Sequence, residues 1–141
     1  MMFQVKNNDP KLGQIINETV HSMVSYLERA LPELSGLASE FYQGADETTW
    51  ETFGHFLDGI GWIMSVLEEL SNPELIENPE GVSHRYNDIS GNIRELQEAL
   101  ENSDLIAIAD ILRYEMIPVL ETLKEEMADA SNSRVVPDDL N

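Results

Sequence analysis

The sequence predicts an all-α protein, an antiparallel four-helix up-and-down bundle, and three observations lead there. Four long segments repeat apolar side chains at steps of three and four residues, no stretch alternates with the period of a strand, and most connections are short. Apolar residues at 42% and charged residues at 25% describe a folding chain rather than a disordered one. At 141 residues one domain can hide roughly two thirds of its unfolded surface, enough for a single core.

Residues 1–8 read as a flexible lead-in and 9–130 as the helical domain. Asn8 or Asp9 caps the first helix, with Pro10 in the first turn, where a missing N–H costs nothing. Its stripe is Leu12, Ile15, Ile16, Val20, Met23, Leu27, Ala30 and Leu31. Pro32 stops or bends this helix, and the following residues to Gly44 then supply a shorter fifth helix. Asp46 caps the second long helix, whose stripe is Trp50, Phe53, Leu57, Ile60, Met64 and Leu67, widened by Phe56, Ile63 and Leu70. "SNPELIENPEG" (71–81) is a connection, with two prolines and a closing glycine. The third helix carries Val82, Tyr86, Ile89, Ile93, Leu96 and Leu100, although Ser90, Gly91 and Asn92 offer a later start. Asn102 or Ser103 caps the fourth, with its stripe running from Leu105 through Ile108, Ala109, Leu112, Met116, Val119, Leu120 and Leu123 to Met127. Residues 131–141 close the chain as a flexible tail.

Pro118 falls inside that fourth stripe. At about 100° per residue it lies roughly 140–150° from the stripe's centre, on the outward side together with the Tyr114 carbonyl that loses a donor. Water can satisfy that carbonyl, and the stripe keeps its phase across the proline, so the helix is expected to run through and bend around the core.

Several patterns that carry chemistry elsewhere fail here on placement. "ETVH" has the Glu-x-x-His spacing of di-iron bundles, but Glu18 and His21 point away from the core face, and no second copy of the motif exists. His84 and Asp88 lie opposite Val82, Ile89 and Ile93. A calcium loop over 86–97 would need an acid at Tyr86 and a glutamate at Gln97. With three histidines, no cysteine, no G-x-S-x-G elbow and no phosphate loop, no residue is nominated for catalysis, metal or cofactor binding. The reading is therefore non-enzymatic.

Charge narrows the partners. The formal net charge is −19, and between Arg29 and Arg85 there are eleven Asp or Glu and no Lys or Arg. Such a surface repels nucleic acid and anionic membranes and suits a basic protein partner, if it does more than keep the chain soluble. The longest nearly apolar run, "IMSVL" (63–67), is too short to cross a bilayer. Absent cysteine, and no apolar signal-like core behind Lys6, the expected location is the cytoplasm.

One surface stands out. Beyond the edge of the second helix's stripe lie His55, Gly59, Trp62 and Val66, a strip that needs a cover. The 34–42 segment folding over it is the structural alternative to a partner docking there. Ile106 and Ile117, three turns apart on one edge of the fourth helix, form a second candidate contact. These observations lead to an acidic protein-interaction module, adaptor-like or chaperone-like, that takes a basic or amphipathic-helical partner through Trp62, Val66, His55, Ile106 and Ile117. The competing classes are a carboxylate-rich metal-dependent enzyme on a helical bundle and a self-associating module such as a homodimer.

Overall fold

A computed structural model describes the backbone of residues 4–5 and 9–139 and the side chains of Val5 and residues 9–130. Most of the expected lead-in and the side chains of the expected tail lie outside the described residues. The fold is all-α: α1 (Pro10–Gln43), α2 (Glu47–Leu70), α3 (Glu80–Glu101), and a final helical run made of α4 (Leu105–Asp110), a π-helical turn (Ile111–Met116) and α5 (Ile117–Asp139). No helix among the described residues is long and apolar enough to cross a membrane.

The first correction concerns α1. It is one helix of 34 residues that passes through Pro32, not a long helix followed by a short one. Pro32 is exposed, so the carbonyl it leaves without a donor faces water. The buried stripe continues beyond it at Leu34, Leu37, Ala38 and Phe41. Asp9 caps the N-terminus by accepting from the Lys11 N–H at 3.0 Å. The helix ends at Gly44, whose φ of 119° favours glycine and whose N–H returns to the Glu40 carbonyl at 2.9 Å.

Asp46 then opens α2 through a reciprocal capping box with Thr49. Thr49 is 1% exposed, and its hydroxyl donates to the Glu40 carboxylate at 2.7 Å, fastening the end of α1 to the start of α2. The core face of α2 is Phe53, Phe56, Ile60, Ile63, Leu67 and Leu70, with Leu57 and Met64 half-buried. Its centre is rotated from the expected stripe, so Trp50 is 41% exposed and packs edge-on against Phe41 and Phe53.

Three further differences follow at the connections. Gln4–Val5 pairs antiparallel with Ile76–Glu77, a two-residue bridge where no strand was expected. Ile76 is fully buried, which anchors the α2–α3 connection to the core. The third helix begins at Glu80, inside the expected connection, rather than after Ser90. Its end is a Schellman motif: the Ser103 N–H bonds the Leu100 carbonyl at 3.1 Å and the Asp104 N–H bonds Ala99 at 2.9 Å. Ser103 takes the left-handed position, at φ 52°, so neither it nor Asn102 caps the next helix. Asp104 does, accepting from the Ala107 N–H at 3.0 Å.

The helical run does pass Pro118, which is exposed, but not as unbroken α-helix. A π turn precedes it, and the Ile117 N–H bonds the Leu112 carbonyl five residues back. The reason lies in the spacing of the buried side chains. Ile108, Leu112, Met116 and Leu120 succeed one another by steps of four. In an α-helix each such step drifts by about 40°, and three would carry the stripe off the core. The wider π turn removes that drift beside the residue that cannot donate.

The helices pack in sequence order. α1 lies on α2, α2 on α3, α3 on α4, and α4 with α5 back on α1. A single cluster fills the space between them, including Val20, Met23, Leu27, Ile60, Ile63, Ile89, Leu112 and Leu123.

Candidate functional site

Two seams of α1 differ in construction. Against the final helical run, α1 is laced by polar contacts. Arg113 donates to the Ser39 hydroxyl at 2.8 Å and to the Ser35 carbonyl at 3.3 Å, and its guanidinium lies 5.3 Å from the centre of the Tyr42 ring. The Tyr42 hydroxyl donates to Asp110, and that hydrogen bond pushes the Tyr42 phenol up to about 12. Arg85 holds α3 to α5 through Glu126 at 2.8 Å and pairs with Asp88 within its own helix.

Against α2, α1 makes a looser and more apolar seam. Tyr26 reaches across onto Gly59 and meets Trp62 edge-on, ring centres 6.3 Å apart. A Cβ at residue 59 would lie 1.9 Å from the Tyr26 hydroxyl oxygen, so any larger residue there would force the Tyr26 ring to shift. Burial pushes the Tyr26 phenol up, the nearby Glu33 carboxylate adds to this, and Arg29 partly offsets it. Alongside this contact a groove of about 200 Å³ opens between the helices. Leu34, Leu37 and Phe56 are its buried apolar lining, Tyr26 forms part of its wall, and Glu33 and His55 are exposed lining residues.

The expected site residues divide as follows. Trp62 is 39% exposed and meets the Tyr26 ring edge-on. His55 is exposed and lines the groove. Val66 is buried in the core cluster, with 9% of its surface exposed. Ile106 is 52% exposed, whereas Ile117 is half-buried against the core. Trp62 and His55 thus share one edge of α2, while Ile117 lies beside Leu31 and Ser35 of α1 in the other seam. Leu34 and Leu37, within the expected 34–42 segment, line the groove beside His55, while Tyr26 from earlier in the same helix meets Gly59 and Trp62.

Sequence reasoning missed Tyr26 and Glu33. A partial signal for Tyr26 was available in the mid-helix Gly59, but Gly54 and Gly61 stand in the same helix with open space around them, so the pattern did not single it out. Glu18, His21, His84 and Asp88 are all exposed, and the described residues contain no group of three or more His, Asp or Glu placed to hold a metal ion.

These features define a small acidic all-α protein with an aromatic-edged groove. Residues 18–126 match the family described as "Domain of unknown function (DUF8042)", and the chain belongs to that family. No curated protein and no solved structure matches the chain. The matched segment contains the groove, both tryptophans and the π turn, and it stops short of both chain ends.

Proposed function

We propose that the protein is a non-enzymatic interaction module, adaptor-like or chaperone-like, on an antiparallel up-and-down bundle, and that its partner is a basic protein or basic amphipathic helix. The cyclic packing order of the helices and the short turns at 44–46 and 102–104 support that arrangement. One observation carries the functional reading: Trp62 keeps 39% of its surface exposed within a stretch that has no Lys or Arg between Arg29 and Arg85. Tryptophan dominates interface energetics when a partner desolvates it, and the surrounding carboxylates accelerate encounter with a cationic surface. On the same face of α2, Glu51, His55, Asp58, Ser65 and Glu69 are all exposed.

Capture of binding proteins by wild type and Trp62→Ala, at low and at high salt, tests this. The expected result is a partner retained by wild type at low salt, weakened by salt, and lost with Trp62→Ala while helix content is kept. Equal capture by both proteins would remove Trp62 from the interface.

A further inference from the structure

The groove between α1 and α2 is too small to hold a helix. Its roughly 200 Å³ falls below the ~300 Å³ at which small-molecule pockets begin, so it suits one long side chain. Its chemistry is divided. Leu34 and Leu37, almost wholly buried, border the groove from the core, and Phe56 keeps 7% of its surface exposed beside them. Glu33 makes no hydrogen bond or ion pair with any described residue, and it is close enough to Tyr26 to act on its phenol. A tyrosine, an apolar floor and an unpaired carboxylate are three groups that an arginine engages together. Its methylene stem packs on apolar groups, its planar guanidinium stacks on an aromatic ring, and its fork engages a carboxylate.

We infer that this groove receives a single arginine side chain of the partner, its stem over the exposed edge of Phe56 and its guanidinium on Glu33 and Tyr26. The inference rests on the protein-binding reading and specifies which residue the partner inserts beside Trp62. Arginine is preferred to lysine because a compact, strongly hydrated ammonium makes neither the stacked nor the forked contact. Arg29, one turn before Glu33 on α1, is close enough to lower the Tyr26 phenol. It makes no ion pair with Glu33, yet it stands as the competitor that an incoming guanidinium displaces.

The test uses N-acetyl-arginine amide and its uncharged isostere N-acetyl-citrulline amide. Both are titrated into the full chain while the NMR signals of the Leu34 and Leu37 methyls and the Tyr26 and Phe56 rings are followed. The arginine compound is expected to shift these signals saturably and to bind at least about tenfold more tightly than citrulline, the increment of a hydrogen bond to a charged group. Glu33→Gln is expected to abolish that preference, and Arg29→Gln to increase affinity for the arginine compound. Equal affinity of the two compounds overturns the inference. So does a preference that survives Glu33→Gln, a shift that never saturates, or no shift at all. Each of those failures leaves Trp62-dependent capture standing. Conversely, saturable arginine binding combined with capture that ignores Trp62 would place the fault in the wider reading.

Discussion

The two seams of α1 solve the same packing problem with different chemistry. Toward α4, the π turn and α5, the helix adds the Arg113–Ser39 and Tyr42–Asp110 contacts to the shared core. Toward α2, beyond the Thr49–Glu40 hydrogen bond at the turn, it relies on aromatic side chains, with Phe41 at one end and Tyr26 near the middle, and leaves a groove between them. Polar contacts across the first seam fix which residues face one another. The second seam leaves an aromatic edge and an unpaired carboxylate open to solvent. One seam holds the fold, and the other remains available to a ligand.

The largest effect should come from the first seam. Leu123 is fully buried on α5, and Leu123→Ala is expected to cost about 2–5 kcal/mol in urea unfolding, as for other buried leucine truncations. A cost under about 1 kcal/mol would show that this seam is not the one holding the bundle.

Next in size is a matched pair of glycines on α2. Gly59→Ala drives a Cβ into Tyr26 and should cost about 1–3 kcal/mol, with a change in Trp62 fluorescence as the ring is displaced. Gly61 has open space around it, so Gly61→Ala should instead stabilise the protein by up to ~1 kcal/mol through helix propensity alone. If both substitutions proved equally harmless, the close approach of Tyr26 would not be a feature of the protein in solution.

The smallest effect is electrostatic. The Tyr42 phenol is raised from its ordinary value to about 12 by its hydrogen bond to Asp110. A folded pKa above the unfolded one gives stability that is complete below pH ~10 and disappears as pH climbs toward 12. Wild type should therefore lose a small increment of stability across that alkaline window that Tyr42→Phe does not lose. Parallel loss in both proteins would mean that the contact with Asp110 contributes nothing.

Much of the fold was legible because helical periodicity reports burial directly. Ile16, Val20, Met23 and Leu27 on α1, and Val82, Ile89 and Leu96 on α3, lie on the faces their spacing predicts. Pro32 misled because a proline reads as a boundary in one dimension, whereas an exposed one is tolerated when packing continues on both sides. The π turn was foreshadowed by three consecutive steps of four, a pattern that an α-helix cannot keep on one face. The groove was hardly legible, since it depends on where α1 and α2 part and on Tyr26 crossing to Gly59. Both are relations between helices that no single-helix pattern contains. Half of the edge was visible in advance as the strip of His55, Gly59, Trp62 and Val66, but Val66 turned inward because the core face of α2 is rotated from its expected centre.

The central claim is that Trp62 serves the surface rather than the core, and the unfolding free energy of Trp62→Ala tests it most directly. A ring that is 39% exposed and rests on one aromatic neighbour should cost less than about 2 kcal/mol to remove, with helix content unchanged. A loss of about 3–5 kcal/mol, the range for truncating a buried aromatic, would make Trp62 part of the core and contradict the account.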